Sequence, residues 1–163
     1  QDILYFNGLF IGESLAAGST IIIPDGEIIS PTPLSSPSRI SSVSERSVAP
    51  GYYLRPIFGG RKSRVIHGYN GVDLADRCGL PVVASAKGTI IIARPSGWNG
   101  GYGKYIVLSH SNGTQTLYAH LNSILASSGQ QVDQGSQIGL IGSTGNSTGC
   151  HLHFEIRGAK NPF

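Results

Sequence analysis

The sequence predicts an all-β protein, and three observations support that class. Charged residues make up 13% of the 163 residues, well below the roughly 25% typical of soluble domains. Glycine (23 residues) and proline (9 residues) are plentiful, and long patterns with helical periodicity are nearly missing. The third observation is a strictly alternating stretch at residues 149–157, which is typical of a strand. Short strands joined by glycine-rich turns are therefore expected.

The alternating stretch places apolar and polar side chains on opposite faces of one strand. The apolar face is Leu152, Phe154 and Ile156, and the polar face is His151, His153, Glu155 and Arg157. We expect the apolar face to pack in the core. The two histidines share the other face, with roughly 6.5–7 Å between their Cα atoms. That spacing lets one ring bind a metal while the other faces a ligand on the same metal.

Composition divides the chain into three parts. Residues 1–29 hold a short apolar run that ends at a proline and an Asp-Gly turn, which indicates a short N-terminal extension. Residues 30–50 are rich in serine and proline with almost no periodicity, which predicts a semi-extended linker. Residues 51–163 carry the strand and turn patterns and are long enough for one domain with a sizeable core.

The third part contains several short strand patterns between glycine turns. We expect strands at residues 72–75, 81–84, 88–93 and 138–142, and a hairpin of residues 104–109 and 114–121 around a Ser-Asn-Gly turn. The run at residues 88–93 is continuously apolar, which predicts a strand buried on both faces.

The net charge of +3 is unevenly distributed. Residues 1–49 have a net charge of −3 and residues 50–163 a net charge of +6. The basic part is either attracted to an anionic polymer or simply a soluble basic surface, and too few aromatic residues accompany its cations to favour nucleic acid. No run is long enough for a membrane-spanning helix. The sequence contains no signal peptide but starts at Gln1, so a processed or truncated chain is expected.

Histidines and one acid suggest a metal site. Asp73 lies between two apolar residues, where a carboxylate is costly unless it is paired or binds a cation. His120 shares a predicted strand face with Thr116 and Tyr118. Two or three imidazoles with one carboxylate form the ligand set of a catalytic zinc site, which keeps one position open for water.

These residues resemble a known family. The pair His67 and Asp73, the triplet at residues 118–120 and the triplet at residues 151–153 are similar to motifs of the lysostaphin-type, LytM-like zinc endopeptidases of bacterial peptidoglycan. The resemblance covers about residue 55 to the C-terminus. It implies antiparallel β-sheets that form an open groove, of the duplicated hybrid motif or barrel-sandwich type, with one Zn²⁺ on the groove floor. Carried over, the zinc ligands are His67, Asp73 and His153, and the catalytic histidines are His120 and His151.

One departure from the family pattern concerns the first ligand. The usual histidine lies four residues before the aspartate, and here that position is Tyr69. One interpretation is a two-residue insertion, Gly68 and Tyr69, in a flexible turn that lets His67 return to the metal. The alternative is a site that lacks its first ligand, with Tyr69 in its place and weak or no activity.

The function implied by the resemblance is hydrolysis of peptide cross-links or stem peptides of peptidoglycan, outside the cytoplasm. Asn70, Tyr102 and Tyr118 are candidates for the substrate groove. Residues 1–29 resemble the second half of a LysM module, which implies binding to glycan strands. The alternatives are a catalytically silent LytM-like regulator or wall-binding module, and a lipoyl-type carrier domain, for which no lysine lies at an obvious hairpin tip.

The two cysteines and two further residues have open interpretations. Cys78 and Cys150 both belong to segments that converge on the implied metal, which favours a disulfide and an oxidising compartment over free thiols or zinc thiolates. Glu155 either supports His153 from behind, pairs with Arg157, or is exposed. His110 is expected to be solvated or structural.

Overall fold

The structure is a computed structural model that describes residues 48–163. The LysM-like segment at residues 1–29 and residues 30–47 of the expected linker lie outside the described residues. The domain boundary at residue 51 therefore stays a prediction.

The described residues form ten strands and one short 3₁₀-helix. The strands are β1 (Arg61–His67), β2 (Gly71–Ala75), β3 (Pro81–Val83), β4 (Gly88–Arg94), β5 (Tyr105–Ser109), β6 (Gln115–Ala119), β7 (Ser123–Ile124), β8 (Gln131–Val132), β9 (Gln137–Leu140) and β10 (His151–Arg157), and the 3₁₀-helix is Asn99–Gly101. Every strand pairing is antiparallel. The predicted all-β class is confirmed. From residue 48 to the C-terminus, no helix has the length and apolar character needed to span a membrane.

Two sheets share one apolar core. The larger has seven strands in the order β1-β2-β10-β6-β5-β4-β8, and the smaller has three in the order β3-β9-β7. Strand β10 lies between β2 and β6, and its apolar face, as predicted, is fully buried at Leu152, Phe154 and Ile156. These side chains join Val82 of β3 and Ile138 of β9 in one cluster. The opposite face of β10 is therefore available for a site.

The expectation for residues 88–93 is wrong in one respect. They form β4, but only Ile90 is fully buried, and Ile91 is 43% exposed. The neighbour of β4 on one side is the two-residue strand β8, so most of β4 is an edge of the sheet. An antiparallel sheet can leave one face in water, and apolar composition alone does not reveal this.

A disulfide joins Cys78 to Cys150, across 72 residues of sequence. Cys78 follows β2, and Cys150 directly precedes β10. The bond therefore ties together the two central segments whose side chains meet in the candidate site, as the sequence suggested.

Removing this disulfide is expected to destabilise the domain. The double substitution Cys78→Ser with Cys150→Ser should lower the free energy of unfolding by about 2–4 kcal/mol, because the cross-link restricts the unfolded chain. Urea unfolding with and without reductant measures the effect. A reductant should weaken the wild type and leave the double variant unchanged, and equal stabilities of all four samples would contradict the prediction.

Candidate metal centre and catalytic groove

A cavity of about 660 Å³ opens on the face of the large sheet that points away from the core. Its floor carries side chains from β2 and β10. Its walls are β1, the segment at residues 100–102 and the loop that precedes β10. The predicted residues His67, Asp73, His120, His151 and His153 all line it.

Register explains why the floor residues meet. His153 on β10 lies directly opposite Asp73 on β2 and Ala119 on β6. Side chains of directly opposed residues in antiparallel strands share a face. The acid and the histidine, 80 residues apart in sequence, are therefore neighbours, with 2.8 Å between Asp73 Oδ1 and His153 Nδ1.

Asp73 is the centre of the cluster. Its Oδ1 atom lies 3.3 Å from His67 Nε2 and 3.9 Å from His151 Nε2. Burial works to raise the pKa of Asp73, but the hydrogen bond and charge of His153 outweigh it, so the pKa lies below its usual value. The carboxylate is therefore ionised and available to a cation.

The geometry fits a single metal ion. His67, Asp73 and His153 each offer one ligand atom, and these atoms all lie within 4.8 Å of one another. Two ligands at 2.0–2.2 Å in a tetrahedral zinc site are roughly 3.4 Å apart. The distances of 2.8 Å and 3.3 Å to Asp73 are both slightly shorter than that value, so small shifts suffice to hold an ion. Two nitrogens and one oxygen are also a donor set suited to zinc.

His67 lies beside Asp73, and Tyr69 is outside the cavity lining. His67 ends β1 directly opposite Gly71, and Gly68 and Asn70 in the turn take positive φ angles of 53° and 61°. The Asn70 amide donates hydrogen bonds to the carbonyl oxygens of Ile156 (2.9 Å) and Ala159 (2.7 Å). The two extra residues, Gly68 and Tyr69, thus belong to a turn that Asn70 ties to the C-terminal segment.

Glu155 is buried behind His153, and the expectation of solvent exposure is wrong. It is 1% exposed, and its Oε1 atom lies 3.1 Å from His153 Nε2. The same oxygen accepts a hydrogen bond of 2.7 Å from the Tyr102 hydroxyl, and Oε2 accepts one of 2.7 Å from Arg157 Nε. Glu155 therefore both supports His153 and pairs with Arg157. It directs Nδ1 of His153 toward the cluster.

Gly71 leaves room for the His153 ring. A Cβ atom at this position would lie 2.6 Å from His153 Cε1. The glycine is therefore a packing requirement of the site, and its only signal in the sequence is its position two residues before Asp73.

His153 carries an extra proton in this arrangement. Burial works to lower its pKa, but hydrogen bonds to Asp73 and Glu155 raise it to about 9. Both ring nitrogens face carboxylate oxygens, so both donate. A metal ion that binds Nδ1 must displace one proton.

His120 reaches the cavity by leaving its strand. Alternation along β6 places Tyr118 on the core face, and continuing it would bury His120 there too. The positive φ of His120, 60°, ends the alternation. Its Nδ1–H donates to the Thr144 carbonyl at 2.8 Å, which leaves Nε2 with a lone pair. Burial lowers its pKa to about 4, so the ring is neutral at physiological pH.

His151 faces His120 across the groove. Their ring centroids are 4.7 Å apart. His151 Nδ1 lies 2.8 Å from the Gly149 carbonyl oxygen, to which it donates, and 3.2 Å from Ser147 Oγ. Nε2 therefore points toward Asp73. Two imidazoles with free Nε2 atoms flank the three-residue cluster, as a pair of proton carriers would.

The three groove candidates have different locations. Tyr102 lines the cavity. Tyr118 does not: it is fully buried, its ring packs 5.2 Å from that of Phe154, and its hydroxyl accepts from Ser85 N–H at 2.8 Å. Asn70 is a turn residue outside the cavity lining. The expectation of a groove role is therefore wrong for Tyr118. The Asn70 amide bonds to backbone carbonyls, and its groove role stays a prediction.

His110 is structural rather than solvated. It is 4% exposed, and its ring nitrogens lie 2.9 Å from the Lys87 carbonyl oxygen and 2.8 Å from Thr116 Oγ1. It lies outside the cavity lining.

Comparison with known proteins identifies the family. The sequence profile of Peptidase family M23 matches residues 67–163, which is more than half of the chain. The chain belongs to this family. The match begins at His67 and includes every histidine and the aspartate of the cavity. The predicted resemblance to lysostaphin-type peptidases is thereby confirmed at the level of the family.

Relatives of this M23 domain include named enzymes. The DD-carboxypeptidase/endopeptidase Mpg of Neisseria meningitidis serogroup B is 45% identical over 103 residues, which cover 61% of this chain and 23% of that protein. The catalytic domain of lysostaphin from Staphylococcus simulans is 39% identical with a TM-score of 0.51, covering 60% of this chain and 74% of that one. A zinc containing peptidase from Vibrio cholerae is 35% identical with a TM-score of 0.51, covering 64% of this chain and 34% of that one. The chain spans about a quarter of the length of the curated relatives it matches.

Proposed function

We propose that the M23 domain is a zinc-dependent endopeptidase that hydrolyses peptide cross-links or stem peptides of bacterial peptidoglycan outside the cytoplasm. The observation that carries the proposal is the convergence of His67, Asp73 and His153 on one point, with His120 and His151 beside it. The name of the Mpg relative, a DD-carboxypeptidase/endopeptidase, supports peptide-bond hydrolysis. The name of the zinc containing peptidase from Vibrio cholerae supports zinc as the metal.

In this proposal the three clustered residues hold the ion and the two flanking histidines move protons. When bound, zinc supplies a Lewis acid for the scissile carbonyl and an acidified water molecule. His120 or His151 accepts a proton at Nε2, because Nδ1 of each is already committed to a backbone carbonyl. The protonated ring then donates to the developing oxyanion or to the leaving amine.

A catalytically silent regulator is the second candidate. Degenerate members of such a family would lack at least one ligand or base. This chain retains all five residues, and all five line one cavity. That observation favours the enzyme.

We also propose a glycan-binding role for residues 1–29. Their similarity to part of a LysM module supports a role in holding the enzyme on glycan strands. A pull-down of residues 51–163 and of the full chain with insoluble peptidoglycan compares the two, and equal retention would contradict it.

Metal binding is expected to release protons. The raised pKa of His153, about 9, means that its Nδ1 is protonated at pH 7 and must lose that proton to an incoming ion. Apparent affinity should therefore rise with pH up to about 9, by as much as tenfold per unit from this group. Calorimetric titrations with Zn²⁺ in buffers of different ionisation enthalpy measure the proton count. Affinity that is flat between pH 6 and 8 would contradict the prediction.

Glu155 is expected to set metal affinity through His153. Glu155→Gln removes the charge that orients Nε2–H, and affinity for Zn²⁺ should fall by about 10–100-fold. Tyr102→Phe removes only the hydroxyl that bonds Glu155, so its effect should be smaller. Competition with a chromophoric chelator gives both dissociation constants. Unchanged affinity in a folded Glu155→Gln variant would refute the support role.

Digestion of purified peptidoglycan tests the proposed function. The zinc-loaded protein should convert cross-linked muropeptides to smaller products, as detected by chromatography and mass spectrometry. The regulator predicts neither metal nor cleavage. Intact muropeptides after treatment with protein that holds one zinc per chain would overturn the proposal.

A further inference from the structure

One cation faces the candidate site without an assigned role. Arg64 on β1 lies directly opposite Asp73 on β2, so the two side chains share a face. It lines the same cavity and is exposed. Among the residues described, Arg64 is the only arginine or lysine in the lining of this cavity. No ion pair in the described part of the chain includes it.

The groove continues past Arg64 to two more arginines. A second, shallower cavity of about 480 Å³ is lined by Gly60, Arg61, Ala75, Asp76, Arg77 and Cys150. It shares Ala75 and Cys150 with the first cavity, so the two adjoin. Within residues 48–163, neither Arg61 nor Arg77 belongs to an ion pair.

The acids near these arginines offset only part of their positive charge. Asp73 lies in the ligand cluster. Asp76 is the one acid of the second cavity, and its Oδ1 accepts the Arg77 backbone N–H at 2.8 Å. Glu155 is held by Arg157 behind His153. The proposed ligand set contributes one negative charge against the two positive charges of a zinc ion, so this end of the groove carries an excess of positive charge.

We propose that Arg64, extended by Arg61 and Arg77, binds carboxylate groups of an acidic peptide substrate and so selects stem peptides with free carboxylates over amidated ones. This inference rests on the proposed function. Guanidinium groups match carboxylates in two parallel hydrogen bonds. A groove lined by one sign of charge also concentrates ligands of the opposite sign. The substrate peptide would then lie along β1, with one of its carboxylates at Arg64 next to the reacting centre.

The test uses two cross-linked stem-peptide dimers that differ only in having free carboxylates or carboxamides. The zinc-loaded wild type should prefer the acidic dimer in kcat/KM by about tenfold. Arg64→Ala should bring the ratio of the two substrates close to one, and Arg61→Ala with Arg77→Ala should lower it less. Arg64→Lys keeps the charge but not the planar fork, so it should retain only part of the preference.

A matched variant controls for net charge. Lys160 is exposed and lies outside both cavities, so Lys160→Ala should keep the wild-type ratio. Dimers amidated only at the chain ends or only at the side chains identify which carboxylate Arg64 binds. Equal cleavage of both dimers by the wild type, or an unchanged ratio in Arg64→Ala, would overturn the inference while leaving the proposed function intact.

A binding measurement tests the role of the arginines independently of cleavage. If the wild type cleaves neither dimer, the proposed function fails. The affinity of zinc-loaded His120→Ala protein for fluorescently labelled forms of the two dimers then tests the arginines alone. Tighter binding of the acidic dimer that disappears with Arg64→Ala supports the inference, and equal binding of both dimers overturns it.

Discussion

Replacing Asp73 with asparagine is expected to abolish both metal binding and peptidoglycan hydrolysis. Asp73 Oδ1 is the atom that the three surrounding histidines approach, at 2.8, 3.3 and 3.9 Å. Asparagine preserves the shape but removes the charge that offsets a divalent ion. Since loss of a residue that merely supports a ligand costs about 10–100-fold in affinity, loss of the central ligand should cost more than about 100-fold. Elemental analysis after dialysis should then find almost no zinc.

A control separates this effect from loss of any carboxylate. Asp133 lies on the surface and pairs with Lys87, with both side chains 77% exposed. Asp133→Asn should retain one zinc per chain and wild-type turnover, because an exposed pair of this kind contributes little. Thermal melting must show that Asp73→Asn is folded. A folded Asp73→Asn protein that keeps a full complement of zinc would show that Asp73 is not a ligand.

His120→Ala and His151→Ala are expected to lose turnover while keeping the metal. Neither ring belongs to the three-residue ligand cluster, so zinc content should stay at about one per chain. Proton transfer by a positioned side chain contributes about 10²–10⁴-fold, and kcat should fall by that factor in each variant. The low pKa of His120, about 4, keeps its ring neutral above that pH. A base with this pKa loses function only as pH falls through about 4, so the acid limb of the rate profile should not be set by His120.

A second histidine serves as the matched control for these variants. His110 is buried between Lys87 and Thr116, outside the cavity. His110→Gln keeps a side chain able to bond to both, so turnover per folded molecule should match the wild type. Near-normal turnover in both His120→Ala and His151→Ala would remove the assigned roles, and loss of zinc from either would move that residue into the ligand set.

The sequence reveals the floor of the site because that floor depends on strand periodicity. The alternation from His151 to Arg157 separates a core face from a polar face, and the structure has the same division. The hairpin of β5 and β6 follows from its Asn-Gly turn. These are local patterns, so a single sequence suffices to find them.

Features that depend on packing between distant segments could not be predicted from the sequence. The burial of Glu155 depends on Tyr102 and Arg157 closing over it. His120 reaches the groove through one left-handed residue, whereas simple alternation would have placed it with Tyr118 in the core. Strand β1, with its Arg-Lys-Ser-Arg start, has no alternation to mark it. It becomes a strand because it pairs with β2.

An anomalous-difference map from crystals of the zinc-loaded protein, recorded at the zinc absorption edge, would locate the metal and its ligands directly. We expect one peak per chain, within bonding distance of His67, Asp73 and His153, with His120 and His151 close by but not coordinating. A peak coordinated by Tyr69 in place of His67, or one outside this cavity, would contradict this expectation.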